Sequence, residues 1–145
     1  MDDIVDDTLA IQTAINSANE IFVPFGTYLI TSNPTLKSNS IITGYGTLKA
    51  NADGIRTFTS GTAGIQNVQI IGIKIDGGGQ VGGVVDLGIK GVLGIYLTNA
   101  SNIIIDRVCI KNCGIMNSAD PYTDARFGGF GIYRGYQHCS IKSRN

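Results

Sequence analysis

The sequence predicts an all-β repeat fold, a solenoid of stacked strands entered through a short N-terminal capping helix. Three observations carry that prediction. The stretch Asn67-Val68-Gln69-Ile70-Ile71-Gly72-Ile73-Lys74-Ile75-Asp76 aligns without gaps on Asn102-Ile103-Ile104-Ile105-Asp106-Arg107-Val108-Cys109-Ile110-Lys111, 35 positions on. A second stretch, Gly94-Ile95-Tyr96-Leu97, returns 37 positions on as Gly131-Ile132-Tyr133-Arg134. Within each copy apolar residues alternate with a period of two, the mark of a strand with one face in a core. Interleaved repeats of nearly equal offset are what successive turns of one stack produce, each repeat burying its apolar face on its neighbours.

Taken in order, the first element is a helix. Asp6-Asp7-Thr8 stands ahead of Leu9, Ile11, Ala14, Ile15 and Ala18, which fall mostly on one helical face. The three polar residues are suited to accept from the free N–H groups of the first turn and to face the positive end of the helix dipole. A helix of about eleven residues is not stable alone in water, so its apolar face must cover something, and the open top of a β stack is the object at hand. Ile21-Phe22-Val23 and Thr27-Tyr28-Leu29-Ile30 follow as β-rich runs separated by the turn-forming Pro24-Phe25-Gly26.

The first repeat has a looser copy before it, Asn39 to Leu48, and another after it, His138-Cys139-Ser140-Ile141-Lys142, at an offset of 36. Val68, Ile70, Ile73 and Ile75 are expected to point inward, with Ile103, Ile105, Val108 and Ile110 as their equivalents; the break in phase after Gly72 and Arg107 marks a corner. Each buried Ile contributes roughly 1.5–3 kcal/mol. Asn39, Asn67 and Asn102 fall at corresponding corners, where Asn tolerates a left-handed backbone. For the second repeat, Gly54-Ile55-Arg56-Thr57 is the expected copy above Gly94-Ile95-Tyr96-Leu97.

Composition bounds the function. The chain has 145 residues, 20 of them glycine, about twice the usual share of roughly 7%. Eleven basic residues balance eleven acidic ones, and no basic cluster occurs. This argues against nonspecific nucleic-acid binding, which needs a cationic surplus to neutralise phosphates. No apolar run approaches the ~20 residues that span a bilayer, so no membrane partner is expected. No apolar segment of a secretory signal follows Met1-Asp2-Asp3. Cys109, Cys113 and Cys139 lack zinc-ligand spacing and are expected to be small core residues. Asp76, Asp86 and Asp106 are scattered without calcium-loop spacing, so neither a metal nor another cofactor is expected. The glycine runs Gly77-Gly78-Gly79 and Gly82-Gly83 lack the Lys-Ser/Thr of a phosphate loop and read as an excursion between repeats. The sequon Asn99-Ala100-Ser101 sits beside a repeat corner and is given no function.

The stretches Asp6-Asp7-Thr8-x-Ala10-Ile11-Gln12-x-Ala14-Ile15 and Val23-Pro24-x-Gly26-Thr27-Tyr28 are similar to the start of the pectate-lyase-like superfamily, in the branch shared by rhamnogalacturonase-like enzymes, mannuronan epimerases and phage tailspikes. Gly44-Tyr45-Gly46 looks like the Gly-x-Gly that often closes the first full coil of that family. The resemblance implies a right-handed parallel β-helix, of which residues 1–145 are the N-terminal part of a single domain, with further coils to follow. It implies an acidic polysaccharide as partner, an extracellular or virion (phage tail) location and, by analogy with tailspikes, a homotrimer.

It also frames the candidate chemistry. Glycoside hydrolysis needs paired carboxylates; lyase or epimerase chemistry needs a base for the C5 proton. Asp120-Pro121-Tyr122-Thr123-Asp124 resembles the Asn-Thr-Asp segment of polygalacturonases, with Tyr122 in place of Asn, which makes Asp120 and Asp124 the catalytic candidates. The epimerase motif Tyr-Gly-Phe-Asp-Pro-His is not matched: Phe130-Gly131-Ile132-Tyr133-Arg134-Gly135 stands there, and His138, the one histidine, falls at a corner. Carbohydrate binding has more to draw on. In register, Tyr96 and Tyr133 stack outward on neighbouring repeats, with Arg56 above and Arg134 and Tyr136 close by; aromatic faces pack on sugar C–H surfaces and Arg forks onto carboxylates. The reading is recognition, with or without depolymerisation by a lyase or hydrolase, of an acidic polysaccharide. The alternative is a non-catalytic structural β-solenoid of a phage tail or surface appendage.

Overall fold

In the computed structural model, residues 5–52, 54–78, 93–113, 132–134 and 140–141 are described, Leu93 and the last two segments in their backbone only. One helix, α1 (Thr8–Ser17), precedes the strands β1 (Glu20–Val23), β2 (Thr27–Ile30), β3 (Ile41–Gly44), β4 (Thr47–Ala50), β5 (Arg56–Thr59), β6 (Ile65–Ile71), β7 (Lys74–Asp76), β8 (Leu93–Leu97), β9 (Ala100–Asp106), β10 (Cys109–Lys111), β11 (Ile132–Arg134) and β12 (Ser140–Ile141).

The strands sort into three parallel ladders, in the orders β1-β3-β6-β9-β12, β2-β4-β7-β10 and β5-β8-β11. Strands adjacent in sequence do not pair; β1 and β2, on either side of Pro24-Phe25-Gly26, each pair with the strand of the next repeat. The registers reproduce the sequence offsets. Val68 lies beside Ile103 and Ile70 beside Ile105, Ile75 beside Ile110, Ile95 beside Ile132, and Ile105 beside Ile141. The looser early copy also holds, with Ile42 beside Ile70 and Leu48 beside Ile75. The described residues are thus mostly parallel strands with little helix.

One apolar cluster runs through the ladders. Ile42, Leu48, Phe58, Val68, Ile70, Ile73, Ile75, Ile95 and Ile103 are at most 1% exposed, and Ile15 of α1 joins them at 0%. Val108 and Ile110 pack against this cluster and are half-buried. The corners have the predicted left-handed backbone: Asn39, Asn67 and Asn102 have φ of 61°, 56° and 50°. Their side chains form a hydrogen-bonded ladder, Asn102 Nδ2 donating to Asn67 Oδ1 at 2.7 Å and Asn67 Nδ2 to Asn39 Oδ1 at 2.9 Å. Gly72 and Arg107 turn the next corner with φ of 77° and 51°. The Gly44-Tyr45-Gly46 turn has a steric cause, since a Cβ on either glycine would overlap the backbone of Val23 or Pro24.

Four expectations are corrected. The buried face of α1 is Thr8, Ile11 and Ile15, whereas Leu9 is 77% exposed and Ala18 is exposed, because the helix meets the stack along the i, i+3, i+7 row through Thr8. The Asp7 side chain does not cap the helix; its Oδ2 accepts from Leu29 N at 2.9 Å in β2, and Asp6 Oδ1 accepts from Thr8 N instead. In the third ladder Phe58 and Thr59, not Ile55 and Arg56, stand over Ile95 and Tyr96. The bulky Phe58 ring fills the core above Ile95, which shifts the register by three residues. Cys109 is exposed rather than core, because alternation along β10 turns Ile110 toward the cluster; Cys113 is half-buried against it, and burial pushes its thiol pKa up.

Candidate functional site

Around Arg56 and Tyr96 the third ladder forms a groove of about 450 Å³, lined by Asn33, Thr35, Arg56, Thr59, Gly61, Thr62, Tyr96, Thr98 and Asn99. Its walls are set by backbone pairing. Thr35 bridges to Thr59 in parallel, flanked by Leu36 N donating to Thr59 O at 2.8 Å and Thr59 N to Pro34 O at 3.0 Å. Gln12 of α1 clamps Thr35 from the other side, its Oε1 accepting from Thr35 N at 2.7 Å and its Nε2 donating to Thr35 O at 3.1 Å. Asn33 Oδ1 accepts from Arg56 N at 2.8 Å and sets the start of β5. At the other end, Thr98 N donates to Ser60 Oγ at 2.8 Å, and Ser60 N donates to Tyr96 O at 3.2 Å.

Within this frame the Arg56 guanidinium carbon sits 4.3 Å from the Tyr96 ring centroid. A cation over an aromatic face at this range is held by roughly 0.5–2 kcal/mol. Arg56 Nε is buried and has no hydrogen-bond partner among the described residues. None of the described lining residues is acidic. The ion pairs among the described residues, Arg107–Asp106 and Lys111–Asp76, both at 3.2 Å, do not involve Arg56. Chemically the described lining is one cation beside an aromatic ring, surrounded by hydroxyls and amides.

The predicted residues divide as follows. Tyr96 lines the groove, and Arg56 reaches its ring from a position opposite Leu93 in the strand register. The β11 backbone places Tyr133 beside Tyr96 and Arg134 beside Leu97. Asp120, Asp124, Tyr136 and His138 lie outside the described residues. Sequence reasoning missed Asn33, Thr35, Thr59 and Thr98. Thr59 was within reach, since it stands 37 positions before Tyr96, the same offset that separates Tyr96 from Tyr133.

A second concavity, about 190 Å³ and apolar, lies between α1 and the first strands against Ile15, Val23, Ile42 and Phe58. Among the described residues no three His, Cys, Asp or Glu side chains gather as a metal site, and no helix is long and apolar enough to cross a membrane.

No family model matches the chain, and no solved structure matches it. It is similar to two curated proteins, the preneck appendage protein of Bacillus phage PZA and the pre-neck appendage protein of Bacillus phage phi29. Each is 27% identical over 117 residues, which is 74% of this chain and 13% of the relative. The chain therefore spans about 13% of the length of the relatives it matches.

Proposed function

We propose that the chain is a structural segment of a phage-type appendage, built as the first coils of a right-handed parallel β-helix of the pectate-lyase-like kind and carried on a virion. The similarity to two pre-neck appendage proteins over 74% of the chain is the observation that supports this most. The architecture suits the role. Parallel ladders that share one apolar cluster, with an Asn ladder along one corner, make a stiff rod whose length grows by adding repeats. Exposed Phe22, Phe25 and Tyr45, with Phe22 edge-on to Tyr45 at 6.0 Å, give the rod an apolar edge suited to packing in an assembly. The homotrimer implied by the tailspike resemblance is one such assembly.

Immunogold labelling tests this reading. Particles purified from the culture that produces the protein, labelled with antibody to this chain, should carry gold on projecting appendages. Label confined to the particle-free fraction would overturn it.

A second reading, docking of a polysaccharide on the same rod, is favoured by one observation, the groove in which Arg56 lies over Tyr96. An aromatic face beside hydroxyl and amide groups is the surface a sugar chain takes. Depolymerisation is left with Asp120 and Asp124, which are outside the described residues.

A further inference from the structure

We propose that the aromatic corner of the rod pairs with the same corner of a second copy running the opposite way, so that the Phe22–Tyr45 ring cluster of each copy meets Arg107 of the partner subunit. The pairing rests on the aromatic edge named above and on nothing about where the chain is carried.

The corner between the first two ladders changes character from coil to coil. Val23 lies beside Gly44, Thr43 beside Ile71, and Ile71 beside Asp106. The residues that follow these strands therefore stack in the order Pro24-Phe25-Gly26, Tyr45-Gly46, Gly72-Ile73 and Arg107-Val108. In the first two coils Phe22, Phe25 and Tyr45 are 59%, 86% and 68% exposed, with Phe22 edge-on to Tyr45 at 6.0 Å. Two coils below Tyr45, the Arg107 side chain is 71% exposed and held by its Nε to Asp106 Oδ2 at 3.2 Å. Between them stands Gly72, whose lack of a side chain lets two corners come close. Neighbouring parallel strands are about 4.8 Å apart, so Tyr45 and Arg107 stand one strand spacing above and below Gly72. A two-fold axis through Gly72, at right angles to the rod, sets each Tyr45 opposite Arg107 of the partner subunit.

Charge selects both the orientation and the partner. Residues 1–50 hold five acidic and two basic residues, and residues 101–145 hold three acidic and six basic ones. The first ladder runs β1-β3-β6-β9-β12, so order in the chain is order along the rod and the charge asymmetry is axial. Copies packed through this corner in the same direction would set acidic coils on acidic coils and Arg107 on Arg107. Reversing one copy sets each end against its opposite. It also gives the guanidinium an aromatic face, which attracts a cation through the ring quadrupole. The area bounds the strength. Aromatic side chains bury about 150–250 Å² each, so three rings exposed to this extent offer roughly 300–500 Å² per copy. That falls short of the ~800 Å² per partner of a standard stable interface, which makes the dimer weak and reversible, with a Kd of roughly 10 µM to 1 mM.

Sedimentation equilibrium of the full chain, over concentrations that bracket that range, tests the pairing. It should show monomer and dimer in exchange, with the dimer weakening as salt rises, because charges are screened beyond about 8 Å at physiological ionic strength. In a mixture of isotope-labelled and unlabelled chains, intermolecular NOEs should join the Tyr45 ring to the Arg107 side chain, a readout that needs no variant. Arg107 has a left-handed backbone with φ of 51°, which Asn tolerates. Arg107→Asn should therefore keep the fold and weaken the dimer by about tenfold or more, as should Tyr45→Ala. Leu9→Ala, at an exposed apolar residue of α1, should leave the dimer unchanged. A chain that stays monomeric throughout would overturn the pairing. So would a three-fold assembly, or a dimer whose NOEs join Tyr45 to Tyr45, since in either the copies run the same way. Association that tightened with salt, or that Arg107→Asn left intact, would overturn it as well. Immunogold labelling speaks to location and sedimentation to pairing, so either can fail while the other holds.

Discussion

Asp6 shows how one side chain joins the helix to the stack. Its Oδ1 accepts from Thr8 N at 3.0 Å and Thr8 Oγ1 at 2.6 Å, and its Oδ2 accepts from Thr31 Oγ1 at 2.6 Å, just past β2. The Thr31 hydroxyl, followed by the Thr8 hydroxyl and amide, holds the carboxyl at about 2 against an ordinary value of 3.8. A depressed carboxyl pKa adds stability that is fully present above the unfolded value and lost as pH falls through the folded one. The window therefore runs from 3.8 down to about 2. In Asp6→Asn the melting temperature should be lower than wild type at neutral pH, and the gap should close as pH falls through that window; a gap independent of pH would show that the charge plays no part. Asp76 adds to the acid limb in both proteins. Burial alone would raise its pKa, but hydrogen bonds from Asn112 and Gly78 and the nearby Lys111 ammonium outweigh it and leave the carboxyl below its ordinary value. The corner asparagines were legible because left-handed backbone is a local demand that few residue types meet. The partner of Asp7 was not, because Leu29 N lies 22 residues on and becomes an acceptor's neighbour only once β2 has folded under the helix.

At the scale of the element, α1 separates pattern from contact. Leu9 and Ile15 read alike as members of one apolar face, yet Ile15 is 0% exposed and Leu9 77%. Ile15→Ala should cost about 2–5 kcal/mol, the range of buried large-to-small changes. Leu9→Ala should stay within about 0.5 kcal/mol, as surface changes do. Urea unfolding of the two variants checks this, and equal losses would mean that the helix docks on a different face. Periodicity located the helix but left its rotation open, since Thr8 closes the buried row and a polar residue carries no apolar signal. A similar limit set the β5 register. Gly54-Ile55 matches Gly94-Ile95 by letter, but Phe58 occupies the core position, and size rather than identity decided the pairing.

Across the whole molecule, the three ladders and their offsets were readable because equivalent residues must stack for the core to be continuous, so the repeat is written directly into the sequence. The groove was readable only in part. Tyr96 lies on a repeat and its register with Tyr133 follows from the offset, whereas Asn33 and Thr35 come from a connection without a repeat and reach the groove through the Thr35–Thr59 bridge. The same stacking logic makes a prediction about cooperativity. Ile75 is 0% exposed and stands between Leu48 of β4 and Ile110 of β10 in the second ladder. Ile75→Ala should lower stability by about 2–5 kcal/mol. In a solenoid each repeat is held chiefly by its neighbours, so the loss of amide hydrogen-exchange protection should be largest in β4, β7 and β10 and decline toward α1 and β1. In a domain that opens only as one unit, protection would fall by the same amount in every strand. Uniform loss would therefore count against the β-helix. A graded loss would mean that the stack is coupled locally, and that further repeats could be added without rebuilding what stands above them.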